Sequence, residues 1–151
     1  MRALRAALLG LSLAAAMPAA AQDGVEMRVV GDFTPDRAQS LAVLQATTRF
    51  WVLRDAGDAA AARAMMSPEL QAVVTEAQLA EIFAQTPPFS VQRRPTKLTW
   101  YHQQPQWPGT SAAVDWRAGA GEGLQGGGYL IWTVQPGGGL ALQRLDMTDL
   151  R

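Results

Sequence analysis

The apolar period of this chain changes once, across the proline-bearing stretch from Thr86 to Pro95. Before that stretch, apolar residues recur at spacings of three and four, the mark of a helix with one buried face. After it they recur at two, the mark of strands that bury alternate side chains. No helical stretch separates the later runs, so neighbouring strands are expected to pair antiparallel through short turns. The expected fold class is therefore α+β, with N-terminal helices packed on a curved four-stranded antiparallel sheet.

In the first half, Thr34 is read as an N-cap, with Pro35 at the first helical position and Asp36 complementing the positive end of the dipole. Leu41, Leu44, Thr48, Trp51 and Val52 then make one stripe, and Gly57 ends the helix where a left-handed residue is wanted. Asp58 and Ser67-Pro68 start two short helices. Thr75-Glu76-Ala77-Gln78 is a capping box for a last helix that buries Leu79, Ile82 and Phe83 and stops at Pro87-Pro88.

In the second half, four strands are expected over Lys97–His102, Ala112–Arg117, Tyr129–Val134 and Leu140–Met147. Their connections carry turn residues: Pro105 to Gly109, Gly119 to Gly128, and Pro136 to Gly139. Gly121-Glu122-Gly123-Leu124-Gln125-Gly126 has dinucleotide-loop spacing but precedes a strand and opens no helix, so it reads as a hairpin loop.

The first residues carry a secretory signal: Arg2 and Arg5, an apolar run from Ala6 to Ala16, and small residues up to an expected cleavage after Ala21. The run is shorter than the ~20 residues that cross a bilayer. The expected layout is a signal peptide over 1–21, an extension over 22–33 and a single domain over 34–151. The expected location is the periplasm, with secretion beyond it as an alternative. The sequence has no cysteine, which removes disulfides, lipidation after the signal and thiolate chemistry. Without Arg2 and Arg5 there remain 11 basic and 13 acidic residues, so no global field favours nucleic acid or an anionic membrane. No later stretch is expected to span a membrane.

The order of elements, with Trp51-Val52-Leu53-Arg54-Asp55-Ala56-Gly57-Asp58 leading into a short helix and then Ser67-Pro68-Glu69-Leu70, resembles the NTF2-like (cystatin-like) superfamily. More narrowly it is similar to the exported bacterial family DUF4019, in which an aromatic-rich first helix ends in an Asp-x-Gly-Asp stretch. There, as here, a helix carrying Val74-Thr75-Glu76-Ala77-Gln78 leads to an arginine near Arg94 and then to the sheet. Leu79 stands where that family carries an aromatic. The resemblance implies a fold and an exported address, and no particular activity.

Candidate chemistry is sparse. His102 is the only histidine. Alternation places it on the Leu98 and Trp100 face and Asp115 on the other, so the two are expected to be separated by the sheet. Trp100, Trp116 and Trp132 fall at strand spacing and read first as core, while Trp107 falls in an expected turn where a ligand or partner could meet it. Arg93, Arg94 and Lys97 form the one basic cluster, fit for a carboxylate or phosphate. No ligand set suits a metal, no cofactor is implied, and no serine lies in a nucleophile elbow. The candidate ligand-binding residues are Trp100, His102, Trp107 and Arg94, with no catalytic residue assigned. The reading is an exported, noncatalytic domain that binds a small ligand or a protein partner, homodimerisation included. The alternatives are a pocket enzyme of isomerase or hydrolase type using His102, with Arg94 or Tyr101 positioning an anion, and an envelope scaffold that recognises glycan through exposed tryptophans.

Overall fold

The computed structural model describes residues 24–151, so the expected signal peptide lies outside the described residues. The chain begins with strand β1 (Glu26–Val30) and continues through helices α1 (Arg37–Asp55), α2 (Ala59–Ala64), α3 (Pro68–Val73) and α4 (Glu76–Gln85). Strands β2 (Arg93–Gln104), β3 (Trp107–Ala118), β4 (Gly126–Val134) and β5 (Leu140–Asp149) complete it.

The sheet has five strands in the order β1-β2-β3-β4-β5, and it is mixed. β1 runs parallel to β2, with Glu26 opposite Lys97 and Val30 opposite Tyr101, while the other pairs are antiparallel. This corrects the expectation of N-terminal helices on a four-stranded antiparallel sheet. A strand precedes the helices, inside the stretch read as an extension. Its signal is weak for a physical reason: at a sheet edge, most of its side chains face solvent and only Met27 and Val30 are even half-buried, so the buried-and-exposed alternation of a core strand is missing.

Most other local signals act as read, with one shift of register at α1 and one correction at α4, where Leu79 and Phe83 are buried but Ile82 stays exposed. Asp36, not Thr34, caps α1: its carboxylate accepts from the Gln39 backbone N–H at 2.7 Å, and the Gln39 side chain accepts from the Asp36 N–H at 2.8 Å. The box Asp36-Arg37-Ala38-Gln39 satisfies two orphan donors at once, which a threonine two residues earlier cannot do. Thr75 and Gln78 make the same reciprocal pair at α4, and Ser67 caps α3. Gly57 takes φ 71° after α1.

The core lies between the helices and one face of the sheet. Leu98, Trp100, Val114, Trp116, Leu130, Trp132 and Leu142 are all buried there. Trp51 of α1 meets Trp116 edge-on at 5.9 Å, and Phe50 meets Phe83 of α4. The Trp132 indole donates to the Thr47 hydroxyl at 2.8 Å, and that hydroxyl donates back to the Val43 carbonyl at 2.9 Å. Each fully buried indole removes ~150–250 Å² from water, so three of them dominate the sheet side of this core. The turn between α2 and α3 is tied to β5 by two 2.7 Å backbone bonds, from Ser67 to Leu142 and from Leu142 to Met65.

α1 is rotated from its expected orientation. Its buried side is Ser40, Val43, Leu44, Thr47, Phe50, Trp51 and Arg54. The stripe expected to face the sheet shares only Leu44 and Trp51 with it, while Val52 stays 62% exposed.

Candidate functional site

The displaced stripe of α1 opens onto a groove. Arg37, Leu41, Leu44, Thr48, Trp51 and Val52 follow one another along its helical wall. The opposite wall is the chain entering β2, with Val91, Gln92, Arg94 and Pro95, and Gly24 and Val25 also line the groove just before β1. The groove exists because β1 starts opposite Lys97, so the first residues of β2 have no strand on that side. Its volume is about 1490 Å³. From Arg37 to Asp55 the helical wall runs ~27 Å at 1.5 Å per residue.

Along its helix the groove carries Leu41 and Val52 among Gln45, Thr48 and Arg49, and it is positive around them. Arg37, Arg49 and Arg94 are exposed residues of its lining, and none makes an ion pair among the described residues. Asp55 is the lining carboxylate, and it is already engaged. Arg93 grips it through both terminal nitrogens, at 2.6 and 2.9 Å, and Arg54 adds a third bond at 2.9 Å. Burial pushes the Asp55 carboxyl upward, but hydrogen bonds and charge from Arg93 and Arg54 outweigh it and hold the group below the ordinary carboxylate value. The groove therefore presents uncompensated positive charge.

One end of the groove is closed by a charged corner. Arg54 also reaches the Thr86 carbonyl and hydroxyl, which satisfies the C-terminal end of α4. The Arg93 guanidinium lies 5.0 Å from the Phe89 ring centre and 5.9 Å from that of Trp116. Arg151 covers Phe89 at 4.7 Å and binds the Pro87 and Pro88 carbonyls. Phe89 fits because position 126 is glycine: a Cβ there would stand 2.4 Å from the ring. A smaller cavity of about 240 Å³ lies behind this corner, lined by Arg54, Ile82, Phe89, Leu145, Met147 and Arg151 among others.

The candidate residues from the sequence do not converge. Trp100 is fully buried core. His102 lies at the far end of β2, stacked on Phe33 at 5.3 Å, and its Nδ1 is 2.8 Å from the Thr110 hydroxyl. Asp115 is on the opposite face and pairs with Lys97 at 3.3 Å, so His102 and Asp115 are separated as alternation requires. Trp107 is not in a turn: the turn is Pro105-Gln106, and Trp107 opens β3 with its ring edge-on to Tyr101 at 5.0 Å. Arg94 alone of the four lines the groove. The basic cluster is divided by the sheet, with Arg93 inward to Asp55 and with Arg94 and Lys97 opposite Arg117 and Asp115 on the outer face. The register shift between Pro95 and Lys97 is what brings Arg94 and Lys97, an odd number of residues apart, onto that one face.

The groove and the Arg54, Asp55 and Arg93 corner were missed in the sequence. The available signal was that Leu41, Thr48 and Val52 extend the apolar side of α1 beyond what one sheet can cover, with arginines at both ends of the stripe. Among the described residues no group of three His, Asp or Glu side chains gathers as for a metal ion, and no helix is long and apolar enough to cross a membrane. No family model, curated protein or solved structure matches the chain.

Proposed function

We propose that this chain is a noncatalytic binding domain of the periplasm, and that the groove between α1 and the start of β2 is its binding surface. The observation that carries this reading is the open groove along α1, where the half-buried Leu41 and the exposed Val52 stand above the buried Leu44 and Trp51 and are bordered by arginines that have no acidic partner among the described residues. An apolar strip rimmed by charge is the signature of a recognition surface, since a chain gains nothing in stability by exposing it. The export signal supports the address, and the likeness of the end of the first helix to the exported family DUF4019 agrees with it. The one carboxylate of the groove lining, Asp55, is already held by Arg93 and Arg54, and His102 lies outside the groove.

The test uses the amphipathic anion anilinonaphthalene sulfonate as a probe of the folded mature chain. Its fluorescence is expected to rise on binding, and Thr48→Trp, which fills the groove from an exposed helical position, is expected to abolish the rise without lowering the melting temperature. Equal probe binding by wild type and Thr48→Trp would refute the assignment of the groove. Turnover of any substrate that disappears in His102→Ala would refute the noncatalytic reading.

A further inference from the structure

Resting on that reading, we infer that the occupant of the groove is an amphipathic helix of a partner protein, acidic along its flanks. Size is the first argument. The helical wall runs ~27 Å, the length of a helix of about 18 residues at 1.5 Å per residue. An α-helix ~10–12 Å across can lie along that wall with one face in the groove and the other in water. The groove's open form suits a half-buried helix better than a small ligand, which an ordinary pocket encloses by roughly 70–90%.

Charge is the second argument. Arg37 and Arg49 on the helical wall and Arg94 on the strand wall have no acidic partner among the described residues. They select glutamate or aspartate on either side of an apolar stripe. The same charges oppose a second copy of this chain, because a twofold contact would set like charges against each other. An added strand is opposed by the edge itself. Pro95 offers no N–H, and the register shift between Pro95 and Lys97 breaks the ladder just where a strand would join.

The test uses two 18-residue helical peptides with the same leucine stripe, one flanked by glutamates and one by lysines, titrated into the mature protein. The glutamate peptide is expected to bind wild type at least tenfold more tightly than the lysine peptide. In the double variant Arg49→Glu with Arg94→Glu that order is expected to reverse, and Thr48→Trp is expected to weaken both at least tenfold. All three positions are exposed, and an unchanged melting temperature verifies folding. Absence of preference, or a preference that survives the charge reversal, overturns the inference. If neither peptide binds but palmitate displaces anilinonaphthalene sulfonate from wild type and not from the charge-reversed variant, the occupant is an acyl anion. The helix inference then falls while the groove reading stands. If the anilinonaphthalene probe itself ignores Thr48→Trp, both fall.

Discussion

At one end of β2, Phe33 leans on Trp100 with ring centres 5.5 Å apart and stacks on His102. At the other end, ~30 Å along the strand, Arg93 is buried against Asp55 beneath Phe89. Both ends are lids on the same core, made of opposite materials. The aromatic lid depends on dispersion and exclusion of water, which salt scarcely weakens. The ionic lid depends on one carboxylate shared by two buried guanidiniums, an arrangement that fails when that carboxylate is lost. The groove borders the ionic lid, so recognition and charge are placed together and the far end is left to packing.

The largest effect that would break this contrast is expected at the aromatic end. Trp100→Ala removes a fully buried indole and should lower stability by about 4 kcal/mol, measured as a shifted denaturant midpoint at constant slope. Asp55→Ala should come next, at about 3 kcal/mol. That is the low end for leaving a buried charge unpaired, because the Asp55 side chain keeps 36% exposure to water. Similar losses with no difference in pH response between the two variants would remove the distinction between the lids.

Acid sharpens it further. The Asp55 carboxyl titrates lower when folded than when unfolded, so its contribution is complete above the ordinary value of 3.8 and is lost as pH falls through its depressed folded value. Melting curves from pH 6 to pH 3 should therefore show an acid-limb loss in wild type that is smaller in Asp55→Ala. Trp100→Ala should retain the wild-type slope, and a slope unchanged in Asp55→Ala would show that other carboxylates carry the acid limb. Gly126→Ala should press on both Phe89 and the Thr148 carbonyl of β5, displacing the ring, exposing Trp116 and red-shifting its fluorescence, at about 1–3 kcal/mol. The smallest effect is expected at Trp107→Ala, a half-buried residue at a hairpin, with a shift in melting temperature of no more than about 2 °C.

Much of the secondary structure was legible because its causes are local. The Thr75 and Gln78 box, the Ser67-Pro68 start, Gly57 and the period of the four later strands act over a few residues and need no distant partner. The site was less legible. Arg93 and Arg94 are adjacent and alike, and only the side of the strand on which each falls separates a buried tie from an exposed cation, unpaired among the described residues.

The sequence by itself determined where most elements begin and end and which face of each later strand is apolar, since capping, turn geometry and alternation are short-range effects. Tertiary structure alone decided that Glu26–Val30 joins the sheet edge in parallel, because an edge strand is held by a partner's backbone and not by its own pattern. It also decided the rotation of α1. The bond from Trp132 to Thr47 together with the grip of Arg93 on Asp55 sets which side of that helix packs on the sheet, and leaves Leu41, Thr48 and Val52 along the groove.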